Sequence, residues 1–134
     1  SELKRFSVCG GDIIVSCRGT IGEIYSIPEN APLGIMHPSI MKIRLKKDKY
    51  CNLFFVTMLE QYMQESISRA NGSGVKMAVT ATELGREMFI VPAIETQIAF
   101  ERFVHYNNSL KADVYKSLGQ AQLLFDSLMQ KYFG

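Results

Sequence analysis

The sequence predicts an α+β fold: a small mixed-sheet domain followed by one long C-terminal, coiled-coil-forming helix. Three observations lead there. Before Pro92, short β-branched runs are separated by turn signals. Between Cys51 and Arg69 the apolar residues switch to three- and four-residue spacing. After Pro92 the chain contains no proline, and Gly119 is its one glycine before the terminus. The composition agrees: 134 residues, 47% apolar and 21% charged, suit a single folded domain and exclude a disordered chain.

Asp12-Ile13-Ile14-Val15-Ser16-Cys17 is a β-branched run entered through Gly10-Gly11, which predicts a strand after a turn. Arg18-Gly19 makes a tight turn into a partner strand from Thr20 to Ile27. Two prolines and an asparagine make Pro28-Glu29-Asn30-Ala31-Pro32 a loop. Ser39 to Leu45 alternates apolar and polar residues, the period of a half-buried strand, with Lys42 and Arg44 on its polar face. Leu53, Phe54, Met58, Leu59, Tyr62, Met63 and Ile67 then mark an amphipathic helix, stopped by Asn71-Gly72-Ser73-Gly74. Val75 to Val79 is a short strand candidate, Thr82 caps a brief turn through Arg86, and Met88 to Val91 is a further strand closed by Pro92.

From Glu95 to Phe133 the chain reads as one helix. Leu110, Val114, Leu118, Ala121, Phe125, Leu128 and Tyr132 step by four or three residues, which makes an apolar seam of the coiled-coil type. At 1.5 Å per residue such a helix runs about 60 Å, too long to pack along its whole length on the preceding domain. The seam therefore asks for a partner helix. Gly119 inside it costs about 1 kcal/mol against alanine. The domain division expected is 1–92 for the compact part and 93–134 for the helix.

The chemistry-bearing motifs are few. Phosphate-loop, dinucleotide-binding, nucleophile-elbow and zinc-protease signatures are missing, as is the Asn/Asp-Pro-Pro-aromatic signature of adenine methyltransferases. Cys9, Cys17 and Cys51 lack metal-ligand spacing, so no metal and no cofactor are expected. Reduced thiols, no signal segment and no long apolar run together point to a cytoplasmic chain. Net charge is only +2, which excludes a strongly basic tail but not a local patch. That patch is the run Lys42, Arg44, Lys46, Lys47 and Lys49, five cations against the single acid Asp48. Two readings of it stand side by side: a solvated strand edge guarded by lysine, or a phosphate-contacting surface. Arg18 at its hairpin tip reads either as an exposed arginine without a partner or as a guanidinium fork on guanine or phosphate, and Lys76 after Asn71-Gly72-Ser73-Gly74 reads either as part of an ordinary linker or as a phosphate contact.

Three separated stretches combine into a resemblance. Gly11-Asp12-Ile13-Ile14-Val15-Ser16 is followed by Gly19-Thr20-Ile21-Gly22. Next come Pro38-Ser39-Ile40-Met41-Lys42-Ile43-Arg44, then Gly72-Ser73-Gly74-Val75-Lys76 leading to Ile90-Val91-Pro92-Ala93-Ile94-Glu95-Thr96-Gln97. In order and spacing this resembles a target-recognition domain of the specificity (S) subunit of type I restriction-modification enzymes. The long helix is similar to that family's conserved spacer. The family often carries Pro-Pro-Leu-x-Glu-Gln where this chain has Pro92-Ala93-Ile94-Glu95-Thr96-Gln97. Its recognition domains usually extend further before the position of Gly11, so the resemblance implies an N-terminally truncated, C-terminal recognition domain.

The resemblance also implies a function. An S subunit performs no catalysis. Each of its two recognition domains reads one half of a split double-stranded DNA target, and paired spacer helices set the gap between the halves. The helices dock modification subunits, which methylate adenine from S-adenosylmethionine, while a restriction subunit hydrolyses ATP and cleaves. On polarity and loop placement the DNA-facing residues expected are Arg18, Thr20, Lys42, Arg44, Lys46, Lys47, Ser73 and Lys76. The isolated chain is expected to form a homodimer through its helix. Two rivals make different demands. A protein-interaction scaffold that only docks helices shows no salt-dependent duplex binding, and an enzyme using a cysteine with His37 loses activity on thiol alkylation.

Overall fold

The computed structural model describes residues 2–17, 22–71 and 80–134. The expected strand after Gly10-Gly11 forms as β2 (Ile13–Ser16), and its entry explains the glycine pair. Gly11 has φ +83°, a left-handed conformation that side chains rarely adopt. Gly10 lies against the backbone of Glu29, where any Cβ would collide with the Glu29 carbonyl. The close approach lets the Gly11 N–H donate to the Ile27 carbonyl at 3.0 Å and the Ile27 N–H to the Asp12 carbonyl at 2.8 Å.

β2 is the central strand of a three-stranded sheet, flanked by β3 (Ile24–Ser26) and β5 (Ile40–Ile43). Ile13 pairs with Ser26 on one side and with Ile43 on the other. Two elements that the sequence does not announce complete this region. They are a short helix α1 (Glu2–Phe6) and a two-stranded pairing of β1 (Ser7–Val8) with β4 (Gly34–Ile35). Every pairing among the described residues is antiparallel, in place of the mixed sheet expected. The α+β class itself holds, with short antiparallel sheets beside the long helices.

Alternation along β2 buries Ile13 and Val15 together with Met41 of β5. The amphipathic helix α2 (Asn52–Asn71) covers that face with Phe55, Leu59 and Met63, one turn apart. Leu84 joins the same cluster. Phe55 was absent from the apolar stripe expected of this helix, whereas Leu53 and Phe54 are only half-buried. Asn52 anchors the start of α2 by donating to the Gly11 carbonyl at 2.9 Å and to the Ser26 hydroxyl at 3.2 Å.

Two local expectations are corrected. The cap of the brief helical turn is Thr80, not Thr82, which lies inside α3 (Ala81–Leu84). Thr80 is extended and accepts from the Glu83 N–H at 3.2 Å, while the Glu83 carboxylate accepts from the Thr80 N–H at 2.9 Å, a reciprocal capping box. Met88 to Val91 is not a strand. Side chains anchor this segment instead of a ladder. The Phe89 ring packs edge-on against Phe55 and Tyr62 at centroid distances of 5.7 and 5.6 Å, Tyr50 packs on Phe55 at 5.2 Å, and the Tyr50 hydroxyl donates to the Ile90 carbonyl at 2.9 Å. The strand candidate from Val75 to Val79 lies outside the described residues.

The long helix forms as α4 (Ile94–Phe133), 40 residues without interruption at Gly119. The chain divides into two compact units, Ser1–Gln97 and Ile98–Gly134.

Candidate nucleic-acid interface

The antiparallel register of β2 and β5 brings the basic run and the start of β2 together. Beyond the Ile13–Ile43 pairing, the next residues on the two strands are Asp12 and Arg44. Arg44 grips Asp12 as a fork, with Nε 2.7 Å from Oδ1 and Nη2 2.8 Å from Oδ2. The Cys9 N–H donates to the same carboxylate at 2.9 Å, and Arg44 Nη2 lies 3.0 Å from Cys9 Sγ. Asp12 is 1% exposed. The Arg44 hydrogen bonds outweigh its burial and hold its pKa down at about 2, while the carboxylate raises that of Arg44.

The other cations of the run divide sharply. Lys42 donates to the Ser7 carbonyl of β1 at 2.6 Å, tying the central sheet to the two-stranded one. Lys47 pairs with Glu29 at 3.0 Å on the surface. Lys46 and Lys49 are exposed, on a turn in which the Lys46 carbonyl accepts from the N–H groups of Lys49 (2.9 Å) and Tyr50 (3.0 Å). Of the remaining residues expected to face DNA, Arg18, Thr20, Ser73 and Lys76 lie outside the described residues.

A residue that the site analysis from sequence passed over, Gln97, fixes this turn. It is fully buried. Its Nε2 donates to the carbonyls of Lys49 (2.8 Å) and Pro92 (2.9 Å), and its Oε1 accepts from the Cys51 N–H (2.9 Å). The signal for it was the Pro92-to-Gln97 spacing, read there only as part of a family pattern.

Ile14, Ser16, Glu23, Ile24, Tyr25, Ser39 and Ile40 line an open groove of about 560 Å³. His37 Nδ1 is occupied by Ser39, whose hydroxyl lies 2.7 Å away. No cluster of metal-ligating side chains occurs among the described residues. No helix of the described residues is long and apolar enough to cross a membrane.

Within Ile98–Gly134 the seam residues Leu110, Val114, Leu118, Phe125, Leu128 and Tyr132 are 43% to 68% exposed, and Ala121 is exposed as well.

In comparison with known families, the model of the type I restriction modification DNA specificity domain matches residues 2–110. Neither the curated proteins nor the solved structures yield a match.

Proposed function

Because this chain belongs to the type I restriction-modification DNA specificity domain family, we propose that it is the component that selects the DNA site for adenine methylation and cleavage carried out by partner subunits. In this reading the residues up to Pro92 contact one half of a bipartite duplex target, and the helix from residue 93 onward serves as spacer and docking arm. The observation that carries it is the family match over residues 2–110, which runs from the α+β unit into α4. The basic turn after β5 supplies charge for the phosphate backbone, and the exposed seam of α4 supplies an apolar stripe for another helix.

The helix seam pairs with a second copy when no other specificity-subunit helix is present. A two-fold pair of helices places two recognition units symmetrically, as a bipartite target demands. In a complete enzyme the same arms hold modification subunits.

The test is reconstitution. Co-expressed with the modification subunits of its own system, the chain is expected to direct adenine methylation to one recurrent sequence motif, read by methylation-sensitive sequencing. Methylation that is absent, or present without a shared motif, sinks the reading.

A further inference from the structure

The basic run contains two populations of cation. Lys42, Arg44 and Lys47 are engaged inside the unit, with the Ser7 carbonyl, the Asp12 carboxylate and the Glu29 carboxylate. Lys46 and Lys49 have no such partner among the described residues, and both are exposed on the same turn, where Asp48 is the one acid. That turn is held from three sides. It is closed on the Lys46 carbonyl, stapled through Lys49 and Cys51 to buried Gln97, and tied by the Tyr50 hydroxyl to the Ile90 carbonyl. A backbone fixed in advance loses little freedom on binding, and a lysine ammonium is a compact point charge suited to a single phosphate oxygen.

We propose that the turn from residue 46 to 50 is the phosphate-contacting edge of the unit, with Lys46 and Lys49 each neutralising a phosphate of duplex DNA, while Lys42, Arg44 and Lys47 are engaged by acceptors of the unit itself. The inference rests on the DNA-recognition reading above and sharpens it. Of the four described cations expected to face DNA, it keeps Lys46 and adds Lys49. Phosphate contacts carry no sequence information, so the assignment concerns docking and register rather than base reading.

Salt dependence tests it, because each neutralised phosphate contributes about −0.9 to the slope of log K against log salt. The probe is a mixed-sequence duplex, titrated with the full chain by fluorescence anisotropy over a range of salt concentrations. The double variant K46Q/K49Q keeps both side-chain stems and removes only charge. It is expected to flatten the slope by about two, and each single variant by about one. Lys47→Gln is expected to leave the slope unchanged. If the wild-type chain binds and the double variant keeps its slope, the phosphate assignment is wrong and the DNA reading stands. If Lys47→Gln flattens the slope as much as either single variant, the division of the run into two populations is wrong. If the wild-type chain shows no salt-dependent duplex binding, the inference and the reading beneath it fall together.

Discussion

At the scale of single residues, the Asp12–Arg44 pair decides most. The carboxylate is buried and the guanidinium is more than half exposed, so the pair is asymmetric. Removing Arg44 strands a buried carboxylate with Cys9 as its remaining donor. Arg44→Met is therefore expected to cost about 1–3 kcal/mol in denaturant unfolding. The pH dependence has a definite sign. The folded pKa of Asp12, about 2, lies below its ordinary value of 3.8, so the unfolded chain binds the proton more readily. The pair's stabilisation is present above about pH 4 and is lost as pH falls towards 2. Unfolding midpoints of wild type and Arg44→Met are expected to converge over that window, and a constant gap down to pH 2 would contradict the assignment. The position of Arg44 on the polar face of its strand was legible from alternation. Its partner was not, because 32 residues separate the two and only the register of β2 against β5 makes them neighbours.

Among the elements, those with a period of their own were readable and those held by side chains were not. β2, β5, α2 and α4 follow from hydrophobic spacing and turn residues. β1 and β4, two residues each, are too short to carry a period. The segment from Met88 to Val91 has strand-like composition, yet its place is set by Phe89 entering an aromatic pack, a tertiary effect that overrides propensity. The start of α4 is likewise fixed by a tertiary contact, in which Gln97 of its first turn bonds the Lys49 and Pro92 carbonyls and the Cys51 N–H. Gln97→Ala removes three hydrogen bonds and leaves the Cys51 N–H and the carbonyls of Lys49 and Pro92 without that partner. The expected cost is about 1–3 kcal/mol, accompanied by faster hydrogen exchange at the Cys51 amide. Thr80→Ala breaks the capping box of α3 and is expected to cost about 0.5–2 kcal/mol by the same unfolding measurement. Equal stability in that variant would show that Leu84, not the cap, holds α3.

For the whole molecule, the division at Gln97 separates a unit with a buried core from a helix whose apolar stripe is exposed. The two respond to different substitutions. Leu59→Ala removes a fully buried side chain and is expected to destabilise the first unit by about 2–5 kcal/mol. Leu118→Asp places a charge in the seam and is expected to turn a dimer into a monomer in sedimentation, with the core intact. A wild-type chain that sediments as a monomer at high concentration argues against the helix pairing. The long helix was legible because its spacing is local, whereas part of the expected DNA-facing set, Arg18, Thr20, Ser73 and Lys76, lies on segments about which the described residues are silent. The aromatic pack offers a further consequence. The chain has no tryptophan and six tyrosines. Tyr25, Tyr106, Tyr115 and Tyr132 are exposed, while Tyr50 and Tyr62 sit edge-on against phenylalanines, where burial raises their pKa values. Near-ultraviolet circular dichroism, which needs an ordered asymmetric surround, therefore draws its tyrosine signal chiefly from those two rings. Far-ultraviolet ellipticity draws largely on α4. One sample, read at two wavelengths, thus reports separately on the closing of the recognition unit and on the winding of its arm.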